Sequence, residues 1–253
     1  MANETAYAPQ STTVRDASAT RPGGITLDRW SPVRDRVQDY FDNTATETWA
    51  QLTSEARVSR IRATVRAGRD RMRALMLSRL PDDLTGCRVM DAGCGVGQMS
   101  QALAERGAEV VAVDIAPAIL KIARDRMPDT LRDRVKFVAG DLSDKSLGTF
   151  DHVVAMDSLI YYESAEICST LAGLDPRVSG KIVFTVAPST PLLMMMWGAG
   201  RLFPKSDRAP VMVPQSPQRL SRNLTRAGCV RELRPVQRIN SGFYISHCME
   251  VLP

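Results

Sequence analysis

The chain has 253 residues, enough for one globular domain with additions or at most two small domains. Its 44% hydrophobic and 24% charged residues are ordinary for a soluble globular protein, and its N-terminus lacks the basic and apolar regions of a secretory signal. The five cysteines form no C-x-x-C pair and there are only two histidines, so neither a disulfide framework nor a zinc site is expected. We therefore expect reduced cysteines and a cytoplasmic protein.

The net charge of +5 is distributed unevenly along the chain. Residues 1–80 carry 13 basic and 9 acidic side chains, residues 81–187 carry 11 and 16, and residues 188–253 carry 9 and 3. An acidic centre is thus flanked by two basic segments. Basic flanks suit an anionic small molecule, an anionic membrane surface or a polyanion, and a merely solvated surface explains them equally well.

The N-terminal segments are predicted to form a tail and an arm. Residues 1–28 are rich in Ala, Thr, Ser and Pro without periodicity, which predicts a mobile tail. Residues 29–80 are predicted to form a helical arm or cap, with an amphipathic stretch over 33–49 and a long helix over 55–80. In that helix Met72 and Met76 continue an apolar spacing from Ile61 and Val65, and Pro81 ends it. Its arginine-rich opposite face either is solvated or binds a ligand.

Strands and helices alternate over residues 81–187. We predict strands at 88–91, 109–114, 135–140, 150–156 and 181–187, with helices at 98–107, 117–127 and 164–172. This order is typical of an α/β doubly wound fold with a mainly parallel sheet. A helix at 216–227 and strands near 230–237 and 242–251 complete a seven-stranded sheet in the same domain.

An insertion at 188–215 follows the fifth predicted strand. Its apolar run, 191–204, is too short to cross a bilayer. The methionines and tryptophan there predict either a lid over a large flat ligand or ordinary core packing.

The most informative run is VMDAGCGVG at 89–97, a buried strand that reaches Asp91 and is followed by a G-x-G-x-G turn. Glycines at this spacing let the backbone turn sharply and lie against a ligand. The dinucleotide fingerprint would need a glycine where Gln98 stands, and the preceding acid suits a positively charged ligand without phosphate. The pattern resembles motif I of class I S-adenosylmethionine (SAM)-dependent methyltransferases. It implies a Rossmann-like SAM-binding core over 81–187 with cofactor contacts from Asp91, Gly93, Cys94, Gly95 and Gly97.

Later strand ends agree with this resemblance. Asp114 ends the second strand, 21 residues after Gly93, and is placed to hold two ribose hydroxyls. The resemblance implies that Asp141 accepts a hydrogen bond from the adenine amino group and that the backbone amide of the next residue faces the ring. The remaining predicted SAM contacts follow or end these strands: Ile115, Leu142 and Met156.

The exit of the fourth strand reads DSLIYY at 157–162. Methyltransferases that modify the amino groups of nucleic-acid bases carry [D/N/S]-P-P-[Y/F] there. We therefore predict no nucleic-acid partner, since a basic charge balance alone does not indicate one.

Several segments together resemble the magnesium-protoporphyrin IX O-methyltransferase family over residues 33–252. They are YFDNT at 40–44 with Trp49, DSLIYY at 157–162, APSTPLL at 187–193, RLFP at 201–204 and SGFY at 241–244. The resemblance implies esterification of one propionate of Mg-protoporphyrin IX in (bacterio)chlorophyll biosynthesis, with S-adenosylhomocysteine (SAH) as the other product and no protein-bound metal. It also implies a partner, the large subunit of magnesium chelatase, and association with photosynthetic membranes.

Two tyrosines are the catalytic candidates. Tyr40 matches the tyrosine of the family's mobile arm, and Tyr161 stands where the family commonly has histidine. Aromatic packing beside a pocket is the alternative for both. Because His152 falls within a strand, a histidine base is not expected, which favours a carboxylate acceptor that is already ionised near neutral pH. Two other functions stay open: a methyltransferase acting on a quinone or fatty acid, and a non-catalytic protein that binds SAM or porphyrin.

Overall fold

Seven strands form one sheet in the computed structural model, which describes residues 60–189 and 212–253. The strands are β1 (Arg88–Ala92), β2 (Glu109–Asp114), β3 (Val135–Ala139), β4 (His152–Ala155), β5 (Ile182–Val186), β6 (Leu233–Ser241) and β7 (Tyr244–Val251). Their order is β3-β2-β1-β4-β5-β7-β6. Strands β1 to β5 are parallel, and β7 runs antiparallel to both β5 and β6.

Five α-helices are described: α1 (Arg60–Leu77), α2 (Gln98–Glu105), α3 (Pro117–Arg126), α4 (Ser164–Leu174) and α5 (Pro217–Arg226). Both α3 and α5 begin with proline, which suits the first helical position because its missing N–H would have no partner inside the helix. None of the helices in the described ranges is long and apolar enough to cross a membrane.

The two faces of the sheet carry separate apolar clusters. One cluster includes Ile167 and Leu171 of α4 with Leu220 of α5, and the other includes Met76 of α1 with Leu103 of α2. Every residue of β5 is buried. A parallel sheet covered on both faces needs largely apolar central strands of this kind, which is why these strands could be predicted from the sequence.

Helix α1 lies against the β6–β7 hairpin. A Cβ atom on Gly68 would lie 2.6 Å from the ring of Tyr244, so the helix approaches β7 at a glycine. The Ser241 hydroxyl donates a hydrogen bond to the Thr64 carbonyl oxygen at 3.1 Å. Met72 is completely buried, as the predicted helical spacing requires. The described part of the predicted arm is therefore joined closely to the sheet.

The predicted fold class is confirmed, and several predicted boundaries are wrong by a few residues. The strand predicted at 230–237 spans Leu233–Ser241, and the strand predicted at 242–251 begins at Tyr244 because residues 242–243 form the hairpin turn. In β4, Phe150 forms only an isolated bridge with Val178, so the strand begins at His152.

The tail at 1–28, the arm before residue 60 and most of the insertion at 188–215 lie outside the described residues. The domain boundaries stay predictions.

Candidate active site

The turn between β1 and α2 folds over the end of β2. The backbone N–H groups of Gly93 and Cys94 both donate to the Val113 carbonyl oxygen, at 2.8 and 3.0 Å. Gly93 and Gly95 have φ values of 76° and 54°, in the left-handed region that side chains with a Cβ disfavour. A Cβ on Gly95 would have no heavy atom within 4 Å, so the backbone here is open to a ligand.

Asp91 is a buried carboxylate at the end of β1. It is 1% exposed, and its Oδ2 accepts a hydrogen bond of 2.5 Å from the Ser100 hydroxyl on α2. Desolvation raises the pKa of Asp91 to about 7, and the charge of Asp114 acts in the same direction. A cationic group bound beside this carboxylate would offset the desolvation and favour its ionised form.

Asp114 ends β2 and faces the same turn. Its Oδ2 accepts from the backbone N–H of Gly95 at 2.9 Å, and its Oδ1 accepts from that of Ala116 at 3.0 Å. These bonds fix the carboxylate at the carboxyl edge of the sheet. Carboxylate oxygens accept more than one hydrogen bond each, so this group can also receive ligand hydroxyls.

One cavity brings most of the predicted site residues together. It lies at the carboxyl ends of the parallel strands, where ligands bind in open α/β sheets. The predicted residues among its lining are Asp91, Gly93, Cys94, Gly95, Asp114, Ile115, Leu142, Met156 and Tyr161.

Across the cavity, an ionic network joins α1 to the exit of β4. Arg69 Nη1 lies 2.6 Å from Asp157 Oδ2, and both residues line the cavity. The Tyr244 hydroxyl donates to Asp157 Oδ1 at 3.0 Å, and the Thr185 hydroxyl donates to the same atom at 3.2 Å. Burial, followed by the charge of Asp157, raises the pKa of Tyr244 well above its ordinary value, so the phenol stays protonated and donates.

The sequence matches known proteins along most of its length. The profile described as magnesium-protoporphyrin IX methyltransferase C-terminus matches residues 155–253, and a methyltransferase domain profile matches residues 89–175. The chain is 55% identical to the magnesium-protoporphyrin O-methyltransferase of Rhodobacter capsulatus over 225 residues, which are 88% of this chain and 98% of that protein. The chain belongs to the magnesium-protoporphyrin O-methyltransferase family.

Two further comparisons agree with this family. The chloroplastic magnesium protoporphyrin IX methyltransferase of Arabidopsis thaliana is 30% identical over 222 residues, covering 86% of this chain and 70% of that protein. The crystal structure of magnesium protoporphyrin IX methyltransferase from Synechocystis PCC 6803 with bound SAH superposes with a TM-score of 0.71 and 26% identity. That comparison covers 85% of this chain and 97% of the other. The predicted resemblance is confirmed.

Two of the predicted SAM contacts, Gly97 and Asp141, are absent from the described cavity lining. Tyr40 is outside the described residues. Gly97 caps α2 with φ of 82°, and a Cβ there would lie 3.3 Å from that of Ala123, which gives a packing reason for this glycine. Asp141 is absent from the described cavity lining, although Gly140 and Leu142 on either side belong to it. Instead, Asp141 Oδ1 accepts from the backbone N–H and hydroxyl of Ser143. The SAM contacts predicted for Gly97 and Asp141 stay predictions.

Sequence reasoning gave no individual role to Arg69, Asp157 or Tyr244, although Arg69 lies on the arginine-rich face of the predicted helix and the other two lie in segments that carry the family resemblance. Asp157 was visible at a strand end, but its partners are 87 and 88 residues away. It is also the single described non-glycine residue with a positive φ, at 57°. Neither the distant partners of Asp157 nor its positive φ can be predicted from the local spacing of residues.

Neither histidine belongs to the described cavity lining. His152 Nδ1 accepts from the Lys181 backbone N–H, and desolvation lowers the pKa values of both His152 and His247. Burial also raises the pKa of the Cys94 thiol well above its ordinary value, which favours the protonated thiol over the reactive thiolate. The described part of the cavity can therefore bind and orient, and offers no evident histidine or thiolate base.

Proposed function

We propose that the protein transfers the methyl group of SAM to a propionate carboxylate of Mg-protoporphyrin IX, giving a methyl ester and SAH in (bacterio)chlorophyll biosynthesis. The observation that carries this proposal is the 55% identity over 98% of the Rhodobacter capsulatus magnesium-protoporphyrin O-methyltransferase. The cavity supports it, since the glycine turn and the carboxylates at the ends of β1 and β2 are all present.

The described residues fit SAM as the methyl donor. The open space at Gly95 admits a ligand against the backbone, and the buried carboxylate of Asp91 suits the cationic methionine end. The carboxylate of Asp114 at the end of the neighbouring strand, held by the Gly95 N–H, supports a contact with the ribose hydroxyls. When bound, SAM supplies a methyl group on positively charged sulfur, and the ionised propionate oxygen takes this methyl while the carbon–sulfur bond breaks and leaves its electron pair on sulfur.

The chain's own part in this reaction is to position the reactants. The propionate needs no general base because it is already ionised near pH 7, which agrees with a described cavity that lacks histidine. Holding acceptor, methyl and sulfur in line can supply roughly 7–11 kcal/mol of the barrier. Tyr161, whose side chain lines the cavity, provides a hydroxyl that can orient the carboxylate.

We place the porphyrin beneath the arm that carries Tyr40 and the insertion at 188–215. Support comes from the cavity wall formed by α1, which carries Arg69 and Arg73. Arg69 is paired with the largely buried side chain of Asp157, whereas the partner of Arg73, Asp70, is exposed, so Arg73 is the arginine that can exchange its carboxylate for a propionate. Guanidinium groups pair well with carboxylates. Arg73 also contacts Gln98 on α2, which connects this wall to the glycine turn.

An assay with purified full-length protein, SAM and Mg-protoporphyrin IX tests the proposal. We expect a product that carries one additional methyl group, formed together with an equimolar amount of SAH. Control reactions without SAM or without Mg-protoporphyrin IX should give no product. Methylation of a quinone or a fatty acid in place of the porphyrin would contradict it. SAM or porphyrin binding without any methylated product would support a non-catalytic binding protein instead.

We also propose that the large subunit of magnesium chelatase delivers the porphyrin. The family resemblance supports this, and so does the poor solubility in water expected of a large flat apolar substrate. This protein should form the ester faster when Mg-protoporphyrin is supplied bound to the purified large subunit than when the same concentration is supplied free. Equal rates would contradict direct delivery.

Peripheral association with the photosynthetic membrane is a further proposal. Helix α5 buries Leu220 and Leu224 and exposes Arg219, Arg222 and Arg226 on its other side. Clustered arginines attract anionic lipid head groups. Sedimentation with vesicles containing anionic lipid should pull down the protein, and Arg219→Glu with Arg222→Glu should reduce the bound fraction. Equal binding to neutral vesicles would contradict this charge-based association.

A further inference from the structure

The Ser158 hydroxyl oxygen is buried and has no hydrogen-bond partner among the described residues. Ser158 nevertheless lines the cavity, directly after Asp157 at the exit of β4. An unsatisfied buried hydroxyl costs free energy, so native proteins keep few of them and each needs a physical reason.

The position of Ser158 is fixed by its neighbours. A Cβ on Gly93 would lie 2.2 Å from the Cβ of Ser158 and 3.0 Å from its Oγ, so the side chain packs directly on the glycine turn. Asp157 turns the chain just before it through the left-handed region. The hydroxyl is therefore held between the glycine turn and the β4 exit.

The sheet order tells which end of a bound nucleoside Ser158 faces. Strand β1 lies between β4, which Ser158 follows, and β2, which ends in Asp114. Neighbouring strands are about 4.8 Å apart, so these two strand exits are separated by roughly 10 Å. Ser158 therefore lies on the opposite side of Asp91 from Asp114, which is the predicted contact of the ribose.

We propose that the Ser158 hydroxyl binds the amino-acid end of SAM and of SAH. This inference rests on the proposed function and adds a specificity residue to it. A hydroxyl can donate to the α-carboxylate or accept from the α-ammonium group. Serine has three staggered rotamers, so one bond rotation can turn Oγ from Gly93 toward the cavity, where the ligand supplies the partner that the protein lacks.

Binding of two ligands to wild-type protein and to Ser158→Ala tests the inference. SAH carries the amino-acid end, and 5′-methylthioadenosine lacks it. Isothermal titration calorimetry should show a loss of about 10- to 150-fold in SAH affinity for the variant, the size of one hydrogen bond to a charged group. The affinity for 5′-methylthioadenosine should not change. Without ligand, the melting temperature of the variant should equal or exceed that of the wild type, because no hydrogen bond is lost.

Ser164→Ala is the matched control. Ser164 is also buried, but its hydroxyl accepts a hydrogen bond from Asn223 Nδ2 at 2.9 Å, and it does not belong to the described cavity lining. This variant should melt at a lower temperature than the wild type and bind SAH with unchanged affinity. The two substitutions should therefore have opposite effects: Ser158→Ala should weaken SAH binding without lowering the melting temperature, and Ser164→Ala should lower the melting temperature without weakening SAH binding.

The alternative results separate the inference from the proposed function. Equal SAH affinity in wild-type and Ser158→Ala protein overturns the inference and leaves the function intact. Equal losses for SAH and 5′-methylthioadenosine overturn the assignment to the amino-acid end. A destabilised unliganded Ser158→Ala shows that the oxygen has a partner in the protein. A wild-type protein that binds no SAH removes the proposed function itself.

Discussion

The guanidinium of Arg69 lies 2.6 Å from the carboxylate of Asp157, although the two residues are 88 positions apart in the sequence. Their side chains are 18% and 8% exposed, so this ion pair is largely shielded from water. It joins α1, which belongs to the predicted arm, to the exit of β4, and both residues line the cavity. Removing one partner would take from the other largely buried charge its close ion-pair contact, which is more costly than breaking an exposed pair.

We expect Asp157→Asn to lower the free energy of unfolding by about 3 kcal/mol, because Arg69 loses its charge partner. Asparagine tolerates the left-handed backbone that Asp157 adopts at φ of 57°, so backbone strain will not account for the loss. Urea denaturation monitored by circular dichroism measures the change.

The control for this prediction is Asp125→Asn. Asp125 pairs with Lys121 at 3.4 Å, but the two side chains are 66% and 79% exposed. Exposed pairs contribute about 0–1 kcal/mol. Losses of equal size in the two variants would show that burial does not strengthen the Arg69–Asp157 pair.

Substitutions of Asp114 should distinguish its role as a hydrogen-bond acceptor from its role as a negative charge. We expect Asp114→Ala to weaken SAH binding by more than about 100-fold, because it removes a charged acceptor that faces two ribose hydroxyls. Asp114→Asn keeps one acceptor oxygen and should lose less. Calorimetric titration with SAH measures both affinities, and an Asp114→Ala variant that is folded and binds SAH like the wild type would remove Asp114 from the site.

The SAM site around Asp114 and the ionic network around Asp157 differ in how far the sequence could predict them. Asp91, Asp114 and the glycine turn are local signals, since parallel strands bring their carboxyl ends to one edge of the sheet. The Arg69–Asp157–Tyr244 network depends on how α1 and the β6–β7 hairpin pack, and no spacing in the chain encodes that contact.

The sequence around Asp141 also indicated a turn, in which the carboxylate accepts a local hydrogen bond, as an alternative to the predicted adenine contact. Its carboxylate accepts from the backbone of the residue two positions on, which is the ordinary behaviour of aspartate in a turn. The serine at 143 was a visible sign of that turn.

Asp91 should make the unliganded protein less stable as the pH rises. Its pKa in the folded state is about 7, whereas an unperturbed aspartate has a pKa of about 3.9. Between these values the folded state binds more protons than the unfolded state, so the free energy of unfolding falls with rising pH, by at most about 1.4 kcal/mol per unit. The contribution is fully present below pH ~4 and lost above pH ~7. Urea unfolding of wild type and Asp91→Asn across this range measures the difference.

The same group should make SAH binding pH-dependent in the opposite direction. A cationic ligand group favours ionised Asp91, so the affinity should rise as the pH increases toward 7 and level off above it. Asp91→Asn should bind SAH more weakly and without this rise. Parallel pH profiles for the two proteins would show that another group causes the dependence.

Tyr161 and Tyr40 should affect turnover more than cofactor binding. The Tyr161 side chain lines the cavity at the end of a short 3-10 turn, Leu159–Tyr161, beside the expected path of the acceptor carboxylate. Tyr161→Phe and Tyr40→Phe should each lower kcat by about 10- to 100-fold, the loss of one hydrogen bond to an ionised carboxylate, and leave the SAH affinity unchanged. Tyr161→His introduces the histidine that the family resemblance implies at this position, and because imidazole also donates a hydrogen bond, it should retain more activity than Tyr161→Phe. Unchanged kcat in Tyr161→Phe would assign this ring to packing alone.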